Sequence, residues 1–240
     1  EMSASLVGSE MCIRDSIMRL FQYFSFLKKV NIIDFFYLNY FCESVIRTDH
    51  YKLIPYKNSV IDISKNAKIY IRGGDIEIGC DLLKKSKAET RVRLRENAIW
   101  SSKNGCKISY GTTLEILDNA ILNSGYFTVN CNSVIVVAKK MYLGQDVMIG
   151  RNAVLYDSDF HQMLDKKGKT LNPASQVKVG SHVWIGANST ILKGTMIGQN
   201  SVIGANAVVN GEVPEKVIFN IKREKFVRNE FEKWDRKSPN

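Results

Sequence analysis

The chain has 240 residues, 45% of them hydrophobic, and a formal net charge of +10. That length holds one repeat domain with short flanks and a sizeable core, and the basic excess suits a nucleic acid, a membrane surface or a phosphorylated cofactor. No RNP-like, zinc-finger or helix-turn-helix pattern accompanies the charge, so no nucleic-acid partner is expected; the five cysteines, odd in number and without a CxxC pair, read as reduced thiols of a cytoplasmic protein with no metal site.

Residues 1 to 16, EMSASLVGSEMCIRDS, match nothing in the rest of the chain. They read as a translated adapter leader and are excluded from fold reasoning, with Met18 as the expected start. Residues 17 to 58 form an N-terminal helical, apolar segment. Within it, 17 to 47 are rich in aromatic and aliphatic side chains, but Lys28 and Lys29 split the run, and Asn31, Asp34 and Asn39 interrupt its second half. No stretch reaches the roughly 18 to 20 apolar residues of a membrane span, and no cleavage site marks a signal peptide. One reading is one or two helices that cap the domain or pack in an oligomer. The other is peripheral contact with the inner membrane, aromatics dipping in and Arg19, Lys28 and Lys29 at the headgroups.

From residue 59 a six-residue beat appears in weak form: ISKNAK (63–68), LRENAI (94–99), LDNAIL (117–122) and VNCNSV (129–134). Residues 80 to 91 break it and read as an inserted loop. VAKKMY (137–142), LGQDVM, IGRNAV and LYDSDF (155–160) then run in register, and residues 161 to 178 interrupt again. From 179 to 214 the beat is continuous through VGSHVW, IGANST, ILKGTM, IGQNSV, IGANAV and VNGEVP. The first position is aliphatic throughout (Val179, Ile185, Ile191, Ile197, Ile203, Val209), and the fifth is small or β-branched (Val183, Ser189, Thr195, Ser201, Ala207, Val213). Neither a helix nor a lone strand has this period; a chain that makes a short strand, turns a corner and starts again does. Three hexads make one triangular coil. The first position points inward, the fifth turns inward near a corner, and Gly or Asn at the corners supplies unusual backbone angles. The domain is placed at 59–215. In the tail, 216–240, Val227, Phe231 and Trp234 at i, i+4, i+7 spacing predict a short amphipathic helix.

The six hexads, the interruption at 161–178 and the string YDSDFH (156–161) resemble the hexapeptide-repeat acyltransferases, and most nearly their sugar and polysaccharide O-acetyltransferase branch. The resemblance covers about residues 60 to 215. It implies an all-β, left-handed parallel β-helix and a homotrimer with active sites between subunits. It also implies acetyl-CoA as co-substrate and a sugar or polysaccharide acceptor. His161 matches the family's general base. It also ends a repeat where an insertion begins, which places it at a coil edge. An imidazole titrating near pH 6.5 suits taking the proton of a sugar hydroxyl as it attacks the thioester.

Asp157 is placed with His161 in the catalytic group and Asp159 with the substrate; either could fix the imidazole tautomer, bind sugar hydroxyls or serve as turn chemistry. Asn130 matches an acceptor-pocket Asn or is a corner Asn, and Trp184 forms a site wall or packs in the trimer. By position Ala187, Ala205, Asn210 and Gly211 match the coenzyme-binding corners. Asn210-Gly211 stands where relatives often have Thr-Lys, so Lys193 or the basic pair at 222–223 is considered for the phosphates. The family's usual C-terminal turn is absent, with FNIKREK in its place. His182 is a surface corner residue. N-acylation of an amino or nucleotide sugar and a non-catalytic scaffold are the competing readings. A zinc-dependent carbonic anhydrase is rejected, because the three histidines lack its spacing.

Overall fold

The computed structural model describes residues 26–220. The leader at 1–16, the first part of the apolar segment (17–25), the basic pair at 222–223 and the helix expected over 222–237 lie outside the described residues. Within them, 23 short strands wind into three parallel sheets of eight, eight and seven strands. The first coil is β1 (Val45–Arg47), β2 (Leu53–Pro55) and β3 (Ser59–Ile63), and β1 pairs in parallel with β4 (Lys68–Ile71), which opens the second. Every strand likewise pairs with the strand one coil on. This is a left-handed parallel β-helix.

The six-residue beat becomes stacked rows. Val129, Ile149, Ile185 and Ile203 are in register in the second sheet, and Ile135, Leu155, Ile191 and Val209 in the third; all are buried. The small fifth residues are buried too, and their hydroxyls reach the next coil. Ser189 Oγ donates to Gly204 O (2.9 Å), Thr195 Oγ1 to Val209 O (3.1 Å) and Ser201 Oγ to Pro214 O (2.9 Å), so polarity inside the prism costs little. At the corner between the second and third sheets Asn152, Asn188 and Asn206 all have φ near +57°. Their amides hydrogen-bond up the stack at 3.1 and 3.3 Å. Gly186 is required beside them, because a Cβ there would lie 2.6 Å from Ala205 N.

Three boundaries differ from expectation. The ladder begins at Val45, not near residue 59. Aromatic residues and a proline mask the first coil's pattern. It also ends later, with β23 (Ile218–Phe219) still paired to β20 (Val202–Ile203). The sixth hexad is not a hexad. Val213 pairs one-to-one with the row of Ile197 and so occupies an inward strand position. The corner before it is two residues short, and Gly211, at φ +94°, makes the tighter turn.

The helical part of the N-terminal segment is shorter than expected. Among the described residues it is a helical turn at 26–29, α1 (Ile32–Phe36) and a π-helical turn (Tyr37–Phe41). Asn31 caps α1, accepting from Asp34 N. This segment closes the open edge of the first coil. The buried Asn39 amide donates to Leu53 O (2.6 Å), and its oxygen accepts from Leu53 N (2.9 Å), as a neighbouring strand would. Asn31 N adds a bond to Pro55 O at 2.9 Å. Unsealed strand edges invite further pairing. Replacing Asn39 with Leu leaves both backbone groups of Leu53 unpaired, at about 1–3 kcal/mol each. The Asn39→Leu variant is expected to unfold at lower urea concentration, with hydrogen exchange at Leu53 accelerated first.

Candidate active site

The fifth coil ends with β15 (Val154–Tyr156), and the sixth begins with β16 (Val177–Val179). Between them the chain leaves the corner that joins the third sheet to the first. Its neck is pinned: Ser175 N donates to Asp157 O (2.9 Å) and Lys139 Nζ to Ala174 O (3.2 Å). Beyond the neck the chain is a small arm. Leu164 and Thr170 form an antiparallel bridge, and Leu171 N donates to Met163 O at 2.7 Å. Asp165 Oδ1 holds the turn by accepting from Lys167 N and Lys169 N. Met163, Leu164 and Leu171 are exposed on the arm.

His161 sits at the base of this arm, exposed, and its ring makes no hydrogen bond among the described residues. Its main chain, by contrast, is tightly held. His161 N donates to Asp159 O (2.8 Å) across Phe160, and Asn172 Nδ2 donates to His161 O (2.9 Å). The bond across Phe160, with φ +61°, makes a γ-turn of the rare, positive-φ kind. An aromatic residue in that region costs of order 1–3 kcal/mol, so its surroundings must impose it. Ser158 Oγ accepts from Phe160 N (3.0 Å), and Tyr156 packs edge-on against the Phe160 ring, centroids 5.1 Å apart. The result is a held main chain carrying an exposed imidazole whose nitrogens have no partner among the described residues.

Asp157 makes no hydrogen bond to that imidazole; of the alternatives open for it, the structure shows bonds at the corner. It is fully buried, and its carboxylate accepts from Ala138 N (2.6 Å), Lys139 N (2.9 Å) and Lys140 N (2.7 Å). Burial pushes its carboxyl above the ordinary value while the three amides pull it down, and burial is the larger effect. Asp159 serves the arm. Its carboxylate takes Lys193 Nζ at 2.5 Å and Asn172 Nδ2 at 2.9 Å, and these two donors hold it below the ordinary carboxylate range. Lys193, considered for coenzyme phosphate, is therefore engaged with Asp159 and with Asn172 O.

The remaining expected residues lie elsewhere on the prism. Asn130, Ala187 and Ala205 line the corner between the second and third sheets, with Asn206 N donating to Ala187 O across adjacent coils. Trp184, about half exposed, stands on the outer face of the second sheet between Met148 and Val202. Asn210 and Gly211 share the corner of Lys193 and the arm, one coil further on. One protomer thus gathers His161, Asp157, Asp159, Lys193, Asn210 and Gly211 along one edge and Asn130, Ala187 and Ala205 along another. His182 sits at a corner with φ +54°, its Nδ1 2.6 Å from Asp146 Oδ2.

Sequence reasoning missed a groove of about 610 Å³ on the outer face of the first sheet. Asn123, Tyr142 and Lys178 stand in one row across three coils, flanked by Lys103 and Lys140. Gln176, where the arm rejoins the prism, is part of its wall. The 19-residue neighbour relation of Asn123 and Tyr142 is legible once coils are aligned, but the arm separates Tyr142 from Lys178 in sequence.

The bacterial transferase hexapeptide family (six repeats) matches residues 176–211. A Saccharomyces cerevisiae protein with a provisional acetyltransferase name is 31% identical over 165 residues, 68% of this chain and 80% of that protein. The chain belongs to the hexapeptide-repeat acyltransferase family. Polysialic acid O-acetyltransferases of Neisseria meningitidis and Escherichia coli are 30% and 36% identical to this member over 90 and 126 residues, 37% and 51% of the chain. The aligned parts span only 39% and 38% of those two proteins. Among solved structures, the polySia-specific acetyltransferase NeuO is similar at a TM-score of 0.42 and 20% identity, covering 77% of this chain and 86% of that one. A hexapeptide-repeat acetyltransferase of Vibrio cholerae, crystallised with acetyl coenzyme A, gives 0.35 and 25%, covering 52% and 63%.

In this family member the amides of residues 138 to 140 depend on one side chain. A hydrogen bond to a charged group contributes about 1.5–3 kcal/mol, so Asp157→Asn should accelerate hydrogen exchange at Ala138, Lys139 and Lys140 by roughly tenfold or more. Unchanged exchange at those three amides would show that the carboxylate is not what holds the corner.

Proposed function

We propose that the protein is an acetyl-CoA-dependent O-acetyltransferase acting on a sugar hydroxyl of an acidic cell-surface polysaccharide or its precursor. The observation that carries this is His161: a side chain without a ring hydrogen bond among the described residues, next to a strained turn, at the base of the arm. As general base it takes the proton of the sugar hydroxyl while that oxygen attacks the thioester carbonyl. The C–O bond forms, the C–S bond breaks, and the proton passes to the departing thiolate, giving the acetyl ester and free coenzyme A. No covalent acyl-enzyme is needed. The lysines of the first-sheet groove, Lys103, Lys140 and Lys178, favour an acidic acceptor, in keeping with the names of the two bacterial relatives.

The coenzyme would lie along the corner of Ala187 and Ala205, where small side chains leave the backbone open to a ligand; Asn210 and Gly211 lie on the other edge, with the arm. Trp184 would wall the site from a neighbouring copy. We infer a homotrimer from the arm's exposed Met163, Leu164 and Leu171 and from the exposed Met148, Trp184 and Ile218 on the second sheet. A cytoplasmic location fits both the co-substrate and the free thiols of Cys80, Cys106 and Cys131.

The protein is incubated with acetyl-CoA and a panel of acidic and neutral bacterial glycans, and free thiol is followed. Turnover is expected on an acidic glycan, with an ester product. His161→Ala should lower it by about 10²–10⁴-fold while the protein stays folded by circular dichroism. An amide product would move the reading to N-acylation. Absence of turnover on every glycan, or unchanged turnover in the folded variant, would overturn it.

A further inference from the structure

The N-terminal cap has a second face that closing the first coil does not use. Leu38 and Asn39 are buried against that coil. On the opposite side of the same helical turns Ile33, Phe36, Tyr37, Tyr40 and Phe41 are all exposed, from 53% for Phe36 to 82% for Ile33. Ile33, Phe36 and Tyr37 have the i, i+3, i+4 spacing of an apolar stripe on α1, and the Phe36 and Tyr40 rings, centroids 5.9 Å apart, carry it across the π-helical turn. Because the buried pair faces the coil stack, the stripe faces away from it, outward at the end of the prism. A soluble end cap needs a polar outer face, and this one has the reverse.

Basic groups border the stripe at Tyr40. Arg47 and Lys52 each lie 5.4 Å from the Tyr40 ring centroid. Lys28 and Lys29, in the helical turn at 26–29, help form a cavity of about 710 Å³ with Lys57, Lys84, Lys85 and Lys107. The acids in that cavity are already engaged. Glu77 pairs with Lys107 at 3.2 Å and accepts from the Tyr56 hydroxyl at 2.8 Å, and Asp81 accepts from Ser109 Oγ. The cavity's thiol is no nucleophile, since burial and Asp81 push the Cys80 thiol up to about 12. The inserted loop also exposes Leu83 next to Lys84 and Lys85, repeating on a small scale the pattern of an apolar residue beside ammonium groups. Among the described residues no helix is long and apolar enough to cross a membrane.

We propose that this end of the prism docks on an anionic lipid surface, the aromatic stripe entering the interface and the lysines meeting the headgroups. Charge complementarity selects this occupant: five exposed apolar side chains bordered by cations suit a negatively charged interface better than a second identical copy, whose own cations would face them. Aromatic rings with polar tips, as in Tyr37 and Tyr40, favour the headgroup level. The surface is separate from the His161 edge, so the inference does not rest on the proposed chemistry.

The full chain is sedimented with phosphatidylcholine vesicles with and without phosphatidylglycerol. Binding is expected only with the anionic lipid and should weaken as salt rises. The triple variant I33S/F36S/F41S should lose at least about tenfold in partitioning, and K84E/K85E roughly fivefold or more per lysine. Both should keep acetyl transfer to a soluble glycan and the oligomeric state of the parent by light scattering. No binding to anionic vesicles, or binding that neither variant weakens, would overturn the proposal. Dissociation of an oligomer by the triple variant, without an effect on vesicles, would assign the stripe to contact between copies instead.

Discussion

Everything in this molecule hangs on the hydrogen-bonded ladder that joins each coil to the next. A parallel ladder in three sheets requires every coil to return to the same place one rise higher, so each corner must close and each end must be sealed. Where the repeat is regular, stacked aliphatic rows and small fifth residues meet that demand. Where it fails, a side chain substitutes for missing backbone. Asn39 stands in for a strand below the first coil. Asp157 does the same at the sixth coil, where departure of the arm removes the carbonyls that the amides of 138 to 140 would otherwise find. The two residues solve one problem with two chemistries. An amide both donates and accepts, as a strand edge needs, and a carboxylate only accepts, as three converging N–H groups need.

That ladder explains which parts were legible in the sequence. Rows with one inward aliphatic per hexad announce themselves, and 179 to 209 read correctly. Val213 misled because deleting two residues moved an aliphatic side chain from one inward position to another, leaving the pattern superficially intact. The first coil is hidden because Tyr51 and Lys52 lead into β2 and Pro55 ends it, where the chain meets the cap. The arm was legible as an interruption but not as a hairpin, since Asp165 organises it through backbone amides that any residues would supply.

Side-chain roles were less legible than positions. DSDFH draws attention to 157–161, yet the partners that define each aspartate lie far away in the chain: Ala138, Lys139 and Lys140 for Asp157, Lys193 for Asp159. Two carboxylates two residues apart face opposite ways because one lies in the prism and the other on the arm. The most telling feature of the segment, the positive φ of Phe160, has no sequence signature at all. Asn would sit there more comfortably, as it does at the corners. A bulky ring in that conformation implies that the ordered surroundings, Tyr156 and Ser158 among them, hold a geometry the backbone would not choose.

The distribution of the site then carries its own consequence. His161 lies on one edge of the prism, and Ala187, Ala205 and Asn130 lie on another, with the second sheet and its exposed Trp184 on the far side of that edge. A rigid triangular solenoid cannot fold these edges toward each other, because each lies between sheets of seven or eight paired strands. If the coenzyme follows the small-residue corner and the base is His161, the reaction needs an edge from one copy beside an edge from another. The proposed trimer and the proposed chemistry are therefore not independent assumptions: on that reading, the stiffness that makes the prism a good scaffold leaves a lone protomer short of a complete site.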